Sequence, residues 1–145
     1  MYHPDCLCVL PASSAVQYLY VSEGKSWAEA QSYCRDKYTD LATIYTSDDI
    51  QHATEAIGSG QVRVWIGLYK NWGWSSSSGQ DSLIYKNWDS NEPDSSNATK
   101  VCTAMKTNGK WISNDCNQIQ PFICYSVTLL DPAGAKIIAQ CKLSP

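Results

Sequence analysis

The sequence predicts an α+β domain, and three observations lead to that fold class. Two segments with helical periodicity come first, at residues 27–37 and from residue 47 onward. Short strand-like segments follow after Gly60, together with one long irregular region. Seven cysteines in 145 residues also indicate disulfide cross-links. Two helices followed by a small antiparallel sheet with a long ligand-binding loop are expected to share one hydrophobic core.

Each helix is predicted from a start pattern and an apolar stripe. Ser26 and Glu29 form a capping box, in which each side chain binds the backbone N–H of the other residue, so a helix is expected over 27–37. The second helix is expected to start at Ser47, where two aspartates suit its positive end, and to stop at Gly58. The stripes expected to be buried are Trp27, Ala30 and Cys34 in the first helix and Ile50, Ala53 and Ile57 in the second.

Segments rich in β-branched and aromatic residues predict five strands. They are 18–21, 62–68, 101–106, 111–113 and 122–125. Asn108-Gly109 is typical of the tight turn of a hairpin. Residues 69–100 form one long irregular stretch, and a loop of this length inside a compact domain is usually functional. Residues 126–145 form a tail without an assigned element.

The cysteines favour disulfides over zinc ligation. No two of them form a Cys-x-x-Cys pair, and His3 and His52 are far apart in the sequence. Disulfides indicate an oxidising compartment, so we expect a secreted or extracellular protein. The odd count of seven leaves at least one thiol unpaired or bridged to another chain.

The amino-terminal residues 1–17 have two possible interpretations. The apolar stretch from Cys6 to Leu10 precedes a run of small residues, which resembles the end of a secretory signal peptide. The stretch is short and no basic residue precedes it, so an arm of the domain is the alternative. If these residues are the remnant of a signal peptide, Cys6 and Cys8 take no part in the disulfides.

Charge and composition argue against three functional classes. The net charge is −3 and lysines and arginines do not cluster, so nucleic-acid binding is not expected. No apolar run approaches the ~18 residues of a transmembrane helix. Glu92 and Asp94 have no histidine or nucleophile placed near them by a motif, so we expect no catalytic residue and no enzyme.

Three motifs occur in a defined order along the chain. They are Trp65-Ile66-Gly67-Leu68, Glu92-Pro93-Asp94, and Trp111 followed by Cys116. Together they resemble the C-type lectin-like domain over about residues 18–125. This resemblance implies disulfides between Cys34 and Cys124 and between Cys102 and Cys116. Cys141 is then left without a partner in the domain, and a disulfide-linked dimer through it is possible.

The resemblance also identifies positions that hold calcium, and thereby the sugar, in carbohydrate-binding members of the family. In this sequence the five positions are Glu92, Asp94, Lys100, Ile112 and Ser113. Three of them lack the carboxylate or amide that the family uses, so we expect no cofactor. Glu92 and Asp94 remain as metal candidates, and the family has a cis peptide bond between them, before Pro93. Glu92 matches the mannose-type motif and Asp94 the galactose-type one, so no sugar class is assigned.

Asn114 and Asp115 lie two positions beyond the missing ligand pair. A shift of two residues keeps the face of a strand but moves the side chain by about 6.6 Å, which exceeds a coordination radius. They therefore belong to the predicted ligand-binding surface and not to a metal site. That surface comprises Glu92, Asp94, Lys100, Trp72, Asn114 and Asp115.

Three loop features refine this surface. Lys100 is hypothesised to act as a built-in counter-ion to Glu92 and Asp94, the alternative being an exposed salt bridge worth under ~1 kcal/mol. Trp72 is expected to be exposed, whereas Trp74 and Trp88 are expected to pack the loop onto the sheet. Asn97, in the sequence Asn-Ala-Thr, is a predicted glycosylation site.

These observations predict an extracellular recognition module that binds a glycan or a protein without calcium. The alternative is a calcium-dependent carbohydrate-binding lectin with a degenerate Glu-Pro-Asp site. The two differ in the number of intact calcium ligands, which favours the first.

Overall fold

The computed structural model describes residues 12–69, 72–77, 85–94 and 96–137. The predictions for residues 1–11, for Cys6 and Cys8, and for Cys141 lie outside the described residues. In chain order the elements are β1 (Ser13–Lys25), α1 (Trp27–Lys37), β2 (Asp40–Leu41), α2 (Ser47–Ile57), β3 (Arg63–Tyr69), β4 (Gly73–Trp74), β5 (Cys102–Lys106), β6 (Trp111–Asn114) and β7 (Gln120–Leu130).

The contacts within the chain divide it into two compact units. Tyr18–Ser126 forms one of them, and it carries both helices. The described residues 12–17 and 127–137 belong to the other, where the Ala12 N–H donates to the Leu130 carbonyl at 3.0 Å. The tail that the sequence left unassigned thus continues strand β7 to Leu130 and then turns at Asp131, whose carboxylate accepts the Ala133 N–H at 3.0 Å.

Both helices have the predicted bounds. In α1 the Ser26 side chain accepts the Glu29 N–H, the Glu29 side chain accepts the Ser26 N–H, and the predicted stripe is buried. Helix α2 starts at Ser47 as predicted, and the residue before it, Thr46, is the cap, because it has an extended backbone and forms a capping box with Asp49. Gly58 ends this helix with a φ of 79°, which favours glycine.

The described strands form one mixed sheet, ordered β1-β7-β3-β5-β6. Strand β3 pairs antiparallel with β5 but parallel with β7, where Trp65 lies opposite Phe122. The predicted small antiparallel sheet is therefore only part of the arrangement, while the α+β class is confirmed. The short strands β2 and β4 were not predicted, because two-residue strands are defined by their partners and not by a local pattern.

The middle strand β3 is buried on both faces, since residues 64–68 are all inaccessible to solvent. One face packs with Trp27 and Phe122, and the other with Trp74 and Trp111. Gly67 is required by close packing here: a Cβ at this position would lie 3.0 Å from the carbonyl oxygen of Ala42. The motif Trp65–Leu68 thus serves the core and does not contribute to a binding surface.

In the described part of the chain, two disulfides close the fold in the pairs that the resemblance implies. Cys34 joins Cys124 across 90 residues, and Cys102 joins Cys116 across 14 residues. Each such loop closure is worth about 3–5 kcal/mol in the chain-entropy description. Disulfides of this kind fit an extracellular location. Neither helix in the described part of the chain has the length and apolar character needed to cross a bilayer.

Candidate ligand-binding site

The Glu-Pro-Asp turn lies against strand β6, and Ser113 is the residue that connects them. The Ser113 hydroxyl donates to Glu92 Oε2 at 2.7 Å, and the Ser113 N–H donates to the same oxygen at 3.1 Å. The hydroxyl oxygen also accepts the Asp94 N–H at 2.9 Å. The peptide bond between Glu92 and Pro93 is cis. One serine thus fixes both ends of the turn to the sheet.

Asp94 is held by a second set of contacts on its side chain. Its Oδ1 accepts from the hydroxyl of Ser96 and from the Ser96 N–H, and its Oδ2 lies 3.3 Å from Lys100 Nζ. The Ser96 hydroxyl, the Ser96 N–H and the Lys100 ammonium, in that order, hold the pKa of Asp94 below its usual range. The side chains of Lys100 and Asp94 are 39% and 32% exposed, so solvent screens this ion pair.

The counter-ion hypothesis for Lys100 is therefore corrected in one respect. The ammonium pairs with Asp94 and not with both carboxylates. Glu92 instead accepts two hydrogen bonds from the neutral N–H and hydroxyl of Ser113, both at its Oε2. Ser113 was predicted only as a position that had lost its calcium ligand. Its pairing with Glu92 could have been suggested by the resemblance, which places both positions on the same site.

Three further residues of strand β6 and the turn after it have contacts different from those of Ser113. Ile112 is buried in the core with Trp27 and lies opposite Ala104. Asn114 is also buried and pairs with Cys102, and because strand side chains alternate it shares the face of Ile112 and not that of Ser113. Asp115 accepts the Asn117 N–H at 2.9 Å in the turn leading out of the strand. A ligand contact through Asn114 or Asp115 stays a prediction.

Trp72 was expected to be exposed, and that expectation is wrong. Its ring is half-buried and meets Trp88 edge to face, with centroids 5.0 Å apart. Trp72 has a positive φ of 63°, and its N–H donates to the Tyr69 carbonyl at 3.1 Å. Trp88 in turn packs 5.6 Å from Trp111. An aromatic partner that lies 16 positions away in sequence accounts for the burial of Trp72.

Trp74 and Trp88 pack the loop onto the sheet, as predicted. Trp74 is buried, with its centroid 5.7 Å from that of Trp111. On either side of Trp88 the backbone pairs with β6: the Trp111 N–H donates to the Asn87 carbonyl at 2.9 Å, and the Asp89 N–H donates to the Trp111 carbonyl at 2.8 Å. This part of the loop is an added edge of the sheet.

Two charged contacts anchor the described parts of the loop. Ser75 donates to Asp40 Oδ1 at 2.8 Å, and Arg35 reaches both residues, with Nε 3.3 Å from Asp40 Oδ2. Further along, Lys106 donates to Asp89 and holds the pKa of that carboxyl below its usual range. Arg35 and Asp40 are five residues apart, but the contacts of Ser75 with them span 35 and 40 residues and the Lys106–Asp89 contact spans 17, and nothing local in the sequence indicates these longer pairings.

Asn97 lies on the exposed surface of the loop. Its side-chain oxygen accepts the Thr99 N–H at 3.0 Å and the Thr99 hydroxyl at 2.7 Å, which closes a local turn. The predicted glycosylation position is thus accessible and lies three residues before Lys100. Its modification stays a prediction.

The comparison with known proteins decides the family. The model of the lectin C-type domain matches residues 23–126. The chain belongs to the C-type lectin domain family. Domains of this family are generally binding modules and not enzymes.

Curated relatives and solved structures agree with this assignment. The lectin domain is 26% identical to L-selectin from Bos taurus over 119 residues, which is 77% of this chain but only 32% of that protein. It is 29% identical to lithostathine from Rattus norvegicus, covering 78% of this chain and 73% of that protein. Human lithostathine superposes with a TM-score of 0.67 at 24% identity, over 81% of this chain and 98% of that one. The chain therefore spans about a third of the length of its selectin relative.

The donor set of this lectin domain is poorly suited to calcium, which prefers six to eight oxygen ligands. Ile112 supplies no donor and is buried, and Lys100 brings an ammonium to Asp94. The Glu92 and Asp94 carboxylates each accept hydrogen bonds from a serine. Among the residues described by the structure, no three His, Cys, Asp or Glu side chains form a group that could hold a metal ion.

Proposed function

We propose that this lectin domain is an extracellular recognition module that binds a glycan or protein ligand, through the 69–100 loop and the adjoining strands, without calcium. The observation that carries the proposal is the Ser113 hydroxyl, which donates to Glu92 and accepts from the Asp94 N–H. A bound calcium ion would join the turn to strand β6 through these same residues. A neutral hydroxyl makes that connection without a metal.

The charge balance supports the same proposal. Lys100 neutralises Asp94, and Ser113 satisfies one oxygen of Glu92, so neither carboxylate requires a cation from solution. Trp72, Trp74 and Trp88 hold the described part of the loop against the sheet through aromatic contacts. A loop held in this way is preorganised for a ligand, which lowers the entropy cost of binding.

The same fold occurs in calcium-dependent and in calcium-independent proteins, so calcium dependence has to be inferred from the residues at the site. A calcium-independent type II antifreeze protein superposes with a TM-score of 0.66 at 21% identity, over 86% of this chain and 98% of that one. A Ca²⁺-dependent type II antifreeze protein, in its Ca²⁺-free form, superposes with a TM-score of 0.67 at 21% identity, over 81% of this chain and 99% of that one. The substitutions at Lys100, Ile112 and Ser113 favour the first behaviour for this chain.

A second candidate is a calcium-dependent lectin with a degenerate site. The observation in its favour is that Glu92 and Asp94 both keep a carboxylate on either side of a cis proline bond. Backbone oxygens would have to complete the coordination shell. Secretion and glycosylation of Asn97 belong to both candidates, and the disulfides Cys34–Cys124 and Cys102–Cys116 support an extracellular location.

A glycan array probed once with calcium and once with EDTA, together with melting curves under both conditions, separates the candidates. We expect the same array pattern and the same Tm with and without calcium. A Tm that rises with calcium, or glycan binding that disappears in EDTA, would contradict the proposal and support the second candidate. Binding to a set of secreted and cell-surface proteins, measured in parallel, tests for a protein ligand.

A further inference from the structure

We infer that a second site, at the opposite end of strand β5 from the Glu-Pro-Asp turn, binds an oxyanion such as a carboxylate or a sulfate on a molecule about the size of a sugar ring. The site is a cleft of about 580 Å³ between the start of β3 and the β5–β6 turn. Its lining residues are Gln61, Val62, Arg63, Lys106, Thr107 and Asn108. Lys106 is the last residue of strand β5 and Lys100 lies two positions before its first, so the length of the strand, about 13 Å, separates them.

Arg63 is a cation without a partner among the residues that the structure describes. The sequence contains two arginines, and the other one, Arg35, is bound to Asp40 and Ser75. Arg63 is exposed, and its guanidinium makes no ion pair or hydrogen bond with any residue in the described ranges. In a protein with a net charge of −3, an arginine at the rim of a cleft without a carboxylate beside it is a candidate ligand-binding group.

The register of the sheet places Arg63 where its positive charge lowers the stability of the fold. Arg63 lies directly opposite Lys106 on the neighbouring antiparallel strand. Like charges that face each other across two strands destabilise a sheet. Lys106 is neutralised by its contact with Asp89, but Arg63 has no such relief among the described residues. A ligand oxyanion would supply the missing negative charge.

The floor of the cleft is fixed before any ligand arrives. The Thr107 hydroxyl accepts the Val62 N–H at 3.1 Å and lies 3.3 Å from the Val62 carbonyl oxygen, to which it donates. The Gly109 N–H donates to the Lys106 carbonyl at 2.8 Å and closes the turn. Because the backbone around the cleft is already ordered, a ligand would pay little entropy to organise it.

The rim offers donors to an anion, and none of the lining residues named above is acidic. The planar guanidinium of Arg63 matches a carboxylate or sulfate with two parallel N–H donors. The amide groups of Gln61 and Asn108 are exposed beside it. The volume lies within the range of small-molecule pockets, about 300–1,000 Å³, so a bare inorganic ion would leave most of the cleft empty.

The test is calorimetric titration of the folded chain with glucuronate, glucose 6-sulfate, glucose and sodium sulfate at constant ionic strength. We expect one or both of the sugar acids to bind, inorganic sulfate to bind more weakly, and glucose not to bind. Arg63→Gln should weaken binding about tenfold or more. The affinity of Arg63→Lys should lie between those of the parent and Arg63→Gln, because lysine keeps the charge but lacks the two parallel N–H donors of the guanidinium. Arg63 is exposed, and a melting curve of each variant checks that it folds.

Lys37→Gln is the matched control, because it removes one exposed positive charge on helix α1, outside the lining of the cleft, and should leave sugar-acid binding unchanged. Sugar-acid binding that Arg63→Gln preserves would overturn the inference, as would an equal loss of binding in Lys37→Gln or the absence of binding by either sugar acid. Inorganic sulfate that binds as tightly as the sugar acids would overturn the stated ligand size. None of these outcomes depends on calcium, so the second site and the proposed function can fail separately.

Discussion

Ser113 and Glu92 are 21 positions apart and are joined twice, because the hydroxyl and the N–H of the serine both donate to the same carboxylate oxygen, at 2.7 and 3.1 Å. The Glu92 carboxylate is therefore part of the connection between the loop and the sheet. Removal of this carboxylate or of the Ser113 hydroxyl should lower the stability of the loop.

Ser113→Ala removes the hydroxyl but keeps the N–H donor and the strand. We expect the free energy of unfolding to fall by about 1–3 kcal/mol, because a partly buried hydrogen bond to a charged acceptor is lost. Chemical denaturation of parent and variant measures the difference. Ser90→Ala, an exposed serine in the same loop, should change the free energy by less than about 0.5 kcal/mol. Equal effects of the two substitutions would show that the hydroxyl does not hold the loop.

Lys100→Ala should cost less than about 1 kcal/mol of unfolding free energy, because the pair with Asp94 is partly exposed and screened by solvent. Lys100→Glu should cost more, since it places a third carboxylate beside Glu92 and Asp94. Thermal melting in EDTA compares the two, with Lys86→Ala and Lys86→Glu as matched substitutions at another exposed lysine. If Lys100→Glu melts at the same temperature as the parent in EDTA, Lys100 is not a counter-ion.

The triple substitution Lys100→Glu, Ile112→Asn and Ser113→Asp should create calcium dependence. It returns oxygen donors at the three positions where this chain departs from the calcium-binding pattern. Without metal the variant should be less stable than the parent, because Ile112 is buried and the asparagine places a polar group in the core. Its Tm should rise with calcium, whereas that of the parent should not. A flat calcium titration for the triple variant would mean that the loop backbone, and not these side chains, prevents binding.

Acid should weaken the domain through Asp94. Its pKa is lowered in the folded state by Ser96 and then by Lys100, so its contribution to stability is complete above the unfolded value, about pH 4, and is lost as the pH falls through the lower folded value. Unfolding free energies measured from pH 6 downward should therefore decline below about pH 4. Asp94→Asn should flatten this decline, while Asp36→Asn on α1 serves as the charge-matched control. An unchanged decline in Asp94→Asn would assign the acid sensitivity to other carboxyls, such as Asp89.

Local patterns predicted the helices, because their start and stop depend on residues within one turn. Ser26 with Glu29 and the glycine at position 58 are sufficient for that purpose. The disulfides and the cis bond before Pro93 came from the resemblance and not from local physics. Strands β2 and β4 could not be predicted, since a two-residue strand exists only where a partner strand lies beside it.

The proximity of the candidate site residues was predicted, but their individual contacts were not. Glu92, Asp94 and Lys100 lie close together as expected, yet Lys100 contacts only Asp94. The exposure expected for Trp72 was wrong, because its neighbours in sequence gave no indication of Trp88 above its ring. Contacts of this kind depend on the path of the loop over the sheet, and local patterns in the sequence do not predict that path.

The Cys102–Cys116 disulfide has a consequence for how such a domain can change over evolutionary time. It ties together the two ends of the β5–β6 hairpin, so that the registers of Cys102 with Asn114 and of Thr103 with Ser113 are maintained whichever side chain stands at position 113. Mutations can then exchange the binding chemistry on this strand while the backbone keeps its place. Such a domain can lose or gain a metal site during evolution through a few substitutions, and each intermediate variant still folds.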